Sequence, residues 1–174
     1  MLMRKGYTLI EIATVVAVVA IIFAVTLPST GVKENEEGNL AGQNFETDVS
    51  FARSYSIAHP EDPLLIKVDQ TNNKYWLATQ STPDTPISHP QTGAAYVIQY
   101  GTGGIKGFEQ VRIAAFDFGG DNVVKFDSTG GLDQASAAVL QLTSSNSKYE
   151  VDVSTAAAQA SVQKGFVTNL GVAN

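Results

Sequence analysis

Cysteine is absent from the 174-residue chain. That excludes disulfides, thiol nucleophiles and cysteine-ligated zinc or iron–sulfur centres, and it leaves burial alone to hold the fold together. Histidine is scarce. His59 and His89 are the two present, each just before a proline, and neither has a partner at metal-ligand spacing, so both read as turn residues. No G-x-S-x-G or G-x-x-x-x-G-K motif occurs. Basic residues are outnumbered by acidic ones, giving a net charge of −6. An acidic balance argues against broad nucleic-acid binding, which needs a concentrated basic surface.

Charge is also unevenly spread. Between Leu9 and Leu27 there is no Lys or Arg, and the single acid is Glu11. Those 19 residues would make a helix roughly 28 Å long, close to the thickness of a bilayer's hydrocarbon. Arg4 and Lys5 precede them and should stay cytoplasmic, which puts the rest of the chain outside. A cleaved secretory signal would need a small-residue site after the apolar run. The segment from Thr26 to Gly31 has Pro28 in its middle and no A-x-A pattern. A plain membrane anchor accounts for the length and the flanking charges but not for Glu11. A carboxylate there costs at least ~2.5 kcal/mol by insertion scales, so a partner is expected.

Gly6-Tyr7-Thr8-Leu9-Ile10-Glu11 resembles the type IV prepilin signature, a basic leader ending in Gly, then an aromatic or apolar residue, Thr-Leu-Ile and Glu. The resemblance implies cleavage by a membrane prepilin peptidase between Gly6 and Tyr7 and N-methylation of Tyr7. Glu11 then becomes an assembly residue. The family most often has Phe where this chain has Tyr7, and an aromatic is retained. The physics agrees with the resemblance. A free ammonium on Tyr7 and a Glu11 carboxylate on a neighbouring chain could pair in lipid and set the register of one helix against another. Pro28 falls where many pilin-like helices carry a proline, and it would kink or interrupt the helix.

After Pro28 the stretch Lys33 to Gly42 is polar, with Gly31, Gly38 and Gly42. It is expected to be linker-like with partial helix, or a locally weakened helix. The helical pattern returns with Phe45, Val49, Ala52 and Ser56, a core-facing stripe that His59-Pro60 ends. Strands are expected at Leu64–Asp69, Lys74–Thr79, Ala95–Tyr100, Val111–Phe118, Asn122–Phe126, Ala138–Thr143, Lys148–Ser154 and Ser161–Val167. Gln70 to Asn73 should close a hairpin, and Gln80 to Gly93, with three prolines, reads as a long irregular loop.

The expected fold class is α+β, a long N-terminal transmembrane helix whose C-terminal part packs on an antiparallel β-sheet domain. Its parts are a leader at 1–6, a membrane helix at 7–28, a linker and the rest of the helix at 29–59, and a β-rich soluble domain at 60–174. Within the pilin-like class, Ser50-Phe-Ala-Arg-Ser-Tyr-Ser-Ile-Ala58 followed by a hairpin resembles the Ala-Arg-x-x-Ala-Ile run of the general secretion pathway protein H pseudopilins and FimT minor pilins. Phe126-Asp-Ser-Thr-Gly130 resembles their Phe-x-x-x-Gly turn. Ser56 replaces an Ala of that pattern, and a Gly expected near Thr155 to Ala158 is missing.

The resemblance implies a structural, minor subunit of a type II secretion pseudopilus or type IV pilus, not an enzyme, single-pass in the bacterial inner membrane with its soluble domain in the periplasm or outside the cell, incorporated into the pilus or pseudopilus. Its partners would be prepilin peptidase, other pilin or pseudopilin subunits, the inner-membrane assembly platform and membrane lipid. A major pilin, or an anchored periplasmic binding domain without a filament role, are the alternatives. No cofactor, metal or catalytic residue is expected. Asp117, Asp121 and Asn122 could supply oxygen ligands to Ca²⁺ but lack EF-hand spacing and read as turn residues. Gly101 to Gly107 superficially resembles a dinucleotide loop without a βαβ unit around it. Some FimT-type pilins bind DNA through C-terminal basic residues; Gly165 to Asn174 has none, so no nucleic acid is expected.

Overall fold

The computed structural model of the chain describes residues 9–26, 30–145, 147–155 and 158–164. Helix α1 spans Leu9–Thr26 and α2 spans Thr30–Ala58. Eight strands follow: β1 Leu64–Asp69, β2 Lys74–Thr79, β3 Val97–Gln99, β4 Val111–Asp117, β5 Val123–Lys125, β6 Ala138–Ser144, β7 Ser147–Val153 and β8 Ala160–Lys164. The chain divides into two units, Met1–Val32 and Lys33–Asn174. The second is α+β and holds most of α2 with both sheets.

Each sheet is four-stranded and antiparallel, in the orders β3-β2-β1-β5 and β4-β6-β7-β8. All eight expected strand segments form, with ends displaced by a residue or two and the last strand stopping at Lys164 within the described residues. Turn side chains link the two sheets. Asn73 sits at φ 54°, a left-handed conformation that asparagine tolerates, and closes the β1–β2 hairpin. Its side chain also bonds across to β4: Nδ2 donates to the Val111 carbonyl at 3.0 Å and Oδ1 accepts from Ile113 N–H at 2.8 Å. Gln70 Nε2 donates to the Ala114 carbonyl at 2.7 Å. The hairpin of the first sheet thus satisfies backbone groups on an edge strand of the second, which would otherwise stand open.

The expected stripe on α2 is the core face. Ala41, Phe45, Val49, Ala52 and Ser56 are fully buried. Phe45 meets Tyr75 of the first sheet edge-to-face, with ring centroids 5.2 Å apart. Burying each such large apolar side chain contributes about 1.5–3 kcal/mol.

The Lys33–Gly42 stretch departs from the linker expectation: it is helical throughout. Gly38 and Gly42 explain why. A Cβ on Gly42 would stand 2.9 Å from both Val162 methyls, and one on Gly38 would collide with the Tyr149 ring. These two glycines, one turn apart, let α2 lie directly on β7 and β8. That packing offsets the ~1 kcal/mol that each glycine costs a helix interior. The outer edge of β8 is tied to the same helix, because Val162 N–H donates to Glu46 Oε1 at 2.8 Å.

Candidate functional site

Of the three residues expected to carry assembly, Gly6 and Tyr7 lie outside the described residues, as does the end of the expected 7–28 membrane segment. Glu11 stands in the first turn of α1 and is solvent-exposed. The Thr14 hydroxyl donates to its main-chain carbonyl at 2.9 Å.

Apolar side chains surround the described part of α1 on every side. Leu9, Ile10, Ile12, Val15, Val16, Val18 and Val19 are all exposed, Leu9 at 88% and Val16 at 62%. Helices that are apolar all round belong inside a large core or in a membrane. Among the described residues no helix is long and apolar enough to cross a membrane. The one charged side chain on this apolar surface, between Leu9 and Ala20, is Glu11.

At the far end of α2 the two motifs of the pseudopilin resemblance meet. The Phe126–Gly130 turn is folded by Asp127, whose Oδ1 accepts from Thr129 N–H and Thr129 hydroxyl at 2.7 Å and from Gly131 N–H at 2.9 Å. These bonds hold the Asp127 carboxyl below the usual carboxylate range. Phe126 is fully buried. Gly130 adopts φ 81°, and a Cβ there would lie 2.8 Å from Ile57 Cδ1 and 2.9 Å from Arg53 Cγ. The turn therefore grips the Arg53 and Ile57 side chains of the helix run. Ser56, the departure from the family's Ala, is fully buried and has a local task. Its hydroxyl donates to the Ala52 carbonyl at 2.8 Å and accepts from Leu64 N–H at 2.9 Å, fastening the start of β1 to the helix.

Midway along α2 lies a polar cluster that sequence reading missed. Asp48 is only 3% exposed. Tyr75 hydroxyl donates to its Oδ2 at 2.6 Å and Tyr96 hydroxyl to its Oδ1 at 2.9 Å. Asn44 Nδ2 lies 3.2 Å from the Tyr75 hydroxyl, and Tyr100 hydroxyl donates to the Ala41 carbonyl at 3.3 Å. Burial raises the Asp48 carboxyl above the usual range and outweighs the opposing tyrosine bonds. The Tyr75, Tyr96 and Tyr100 hydroxyls are pushed up, first by burial; the Asp48 charge adds to this at all three, and Tyr100 adds to it at Tyr75, whereas the bond to Tyr75 partly offsets it at Tyr100. Through these bonds the cluster works as a clamp between helix and sheet. The available signal was Asp48's place beside Val49, three residues after Phe45, which puts a carboxylate on the core face.

The other candidates are occupied by local structure. Asp117 Oδ1 accepts from Gly119 N–H and Asp121 Oδ1 from Val123 N–H, while Asn122 Nδ2 donates to the Val68 carbonyl. Among the described residues no three His, Asp or Glu side chains are gathered to hold a metal. His59 stacks on Tyr55 with centroids 4.0 Å apart at the end of α2, and His89 packs on Tyr96 at 4.4 Å. Gly101, Gly103 and Gly107 all adopt positive φ, as a turn does.

Comparison with protein-family models, with curated proteins and with solved structures finds no match in any of the three.

Proposed function

We propose that this chain is a structural subunit, minor in copy number, of a type II secretion pseudopilus or a type IV pilus. Residues 7–28 hold it in the bacterial inner membrane as a single pass, with the rest in the periplasm. Prepilin peptidase cuts after Gly6, Tyr7 is N-methylated, and the assembly platform places the chain beside other subunits. Glu11 pairs there with the N-terminus of a neighbour.

The observation that carries this reading is α1, an exposed helix, apolar on every side, whose described part bears one carboxylate in its first turn. A carboxylate in lipid demands a partner, and the processed N-terminus of an adjoining subunit supplies one of opposite charge at matching depth. The packing of the Phe126–Gly130 turn on Arg53 and Ile57 supports the finer placement among the minor pseudopilins, since the two motifs are then halves of one contact.

Intact-mass and N-terminal analysis of the protein taken from its native membrane tests the proposal. A chain that begins with N-methylated Tyr7 supports it. An intact leader, in a host with active prepilin peptidase, leaves an ordinary anchored domain. Cleavage between Thr26 and Gly31 makes the chain a secreted protein and removes the role of Glu11. The copy number in purified filaments then separates a minor subunit from a major pilin.

A further inference from the structure

The loops of the second unit sort to its two ends. β3 runs toward the start of α2, because the Tyr100 hydroxyl, just past its last residue, donates to the Ala41 carbonyl at 3.3 Å. β4 leaves from the same end, since Gln110 N–H, just before it, donates to Glu37 Oε2 at 3.3 Å. The loop between them, residues 100–110, therefore stands where α2 enters the unit. The β6–β7 turn shares that end, with Ser144 and Tyr149 against Gly38. The Phe126–Gly130 turn lies at the other end, against Arg53 and Ile57.

Residues 100–110 form a built loop. Gly101 N–H donates to the Phe108 carbonyl, Gly104 to Gly101, Ile105 to Gln99 and Phe108 to Ile105. Phe108 also meets Tyr100 edge-to-face, with centroids 5.6 Å apart. What this frame presents to solvent is Thr102, Gly103, Ile105, Lys106 and Gly107. Among the described residues outside the helices, Ile105 is the one large apolar side chain exposed. Lys106 and, from the β6–β7 turn, Lys148 are exposed at the same end and make no ion pair among the described residues. Two carboxylates here are occupied by the loop itself: Glu37 holds Gln110, and Glu109 Oε2 accepts from Gly107 N–H at 3.0 Å. Lys106 acts on the Glu109 carboxyl less strongly than those N–H groups do. Glu36 is exposed on α2, so this end is mixed in charge, not a basic patch.

On the reading proposed above, the chain leaves the bilayer near Pro28, and the second unit begins at Lys33. The end at which α2 enters is then the end nearest lipid. Thr30 to Glu37 is helical and advances about 10 Å. The headgroup layer accounts for roughly 5–7 Å of such a distance, and the loop with an extended lysine spans the rest. We propose that the 100–110 loop rests on the outer surface of the membrane that anchors the chain, with Ile105 entering the headgroup boundary and Lys106 and Lys148 meeting anionic phosphates. One isolated apolar side chain is too little for the core of a protein interface, which needs a buried cluster. A lipid contact needs no more, because the anchor already holds the loop at high effective concentration beside the headgroups. An apolar side chain flanked by lysine is also the pairing that such surfaces retain. The contact sets the lean of the second unit against the bilayer. It rests on the membrane-anchoring part of that reading and not on filament assembly.

Because the chain has no cysteine, single labels report depth directly. Full-length I105C carrying an environment-sensitive fluorophore is reconstituted in vesicles of phosphatidylethanolamine and phosphatidylglycerol. Full-length S128C, exposed at the opposite end, carries the same label as the control. A lipid with a nitroxide near its headgroup should quench the first label and spare the second. Replacing phosphatidylglycerol by phosphatidylcholine should lower the docked-to-free ratio roughly fivefold for each lysine engaged. A label at T102C should lose its quenching when I105D is added. Absence of quenching at I105C, equal quenching at S128C, or a T102C signal indifferent to I105D would each overturn the contact. So would a signal that follows protein density instead of nitroxide, which would assign the loop to a protein neighbour. Carbonate extraction of the same vesicles checks the anchor. A retained chain without quenching sinks the loop contact alone, whereas an extracted chain removes the anchoring and the contact with it.

Discussion

The Tyr75 hydroxyl donates to Asp48 at 2.6 Å, the shortest of the contacts that join the middle of α2 to the second strand of the first sheet. Tyr96 reaches the other carboxylate oxygen. A buried acid is thereby kept in place at a cost, because desolvation raises its folded-state pKa above its ordinary value of 3.8. A raised folded-state pKa means the native state holds its proton longer than the unfolded chain. Stability from this group is fully present below pH 3.8 and is lost as pH rises through the higher folded value. Asp48→Asn should abolish that decline while leaving one tyrosine bond intact. Denaturant unfolding of the detergent-solubilised chain across this pH range is the check, and identical slopes in both proteins would show that Asp48 does not titrate as described.

Gly38 and Gly42 should resist replacement by alanine. On an exposed helix, Gly→Ala stabilises by about 1 kcal/mol. Here the new methyl would enter the Tyr149 ring or the Val162 methyls, and overpacking costs about 1–3 kcal/mol. Both variants should therefore melt below the parent chain. Stabilisation by either would restore the linker-like reading of Lys33–Gly42.

Ser56→Ala isolates the bond that ties β1 to the helix. It leaves the Leu64 N–H buried without its acceptor, a loss of about 1–3 kcal/mol. Ser54→Ala, which removes an exposed bond to the Ser50 carbonyl, should fall within about 0.5 kcal/mol of the parent. Equal effects at the two serines would deny Ser56 its role at the junction.

What could be read before the structure followed the strength of local signals. Apolar or β-branched runs such as Lys74–Thr79 and Lys148–Ser154, bounded by turn signals, locate strands from their own residues. The Phe45–Ser56 stripe likewise locates a core-facing helix. Sheet membership was not legible, because it depends on ladders between segments distant in sequence, such as β1 with β5, and the Asn73 and Gln70 bonds that join the sheets likewise reach β4 some forty residues away. The first half of α2 was misread for a similar reason. Gly38 and Gly42 lower helix propensity locally, and only the distant Tyr149 and Val162 reveal the close approach that makes glycine necessary. Asp48 was hidden because its partners Tyr75 and Tyr96 lie on other elements. Glu11 was legible since one acid in an apolar run is conspicuous without any tertiary knowledge, whereas Gly6 and Tyr7 depend wholly on the motif.

Glu11→Ala separates assembly from folding. The residue sits in the first unit, whereas the core lies in the second, Lys33–Asn174. The substitution removes a carboxylate from an apolar helix, so membrane insertion should improve, by the ~2.5 kcal/mol or more that such a group costs. The unfolding midpoint of the second unit should not move. On the filament reading proposed above, incorporation into filaments should nevertheless fall sharply, because a neighbour's ammonium would lose its counter-charge in lipid. Glu11→Gln keeps shape and hydrogen bonding but not charge, and on this account it should fail nearly as badly. Filaments sheared from cells expressing each variant, probed for the chain and normalised to its membrane level, give the measurement. Normal incorporation of both variants would leave α1 a plain anchor. Rescue by Gln alone would mean that the carboxylate acts as a hydrogen-bond acceptor, not as a charge.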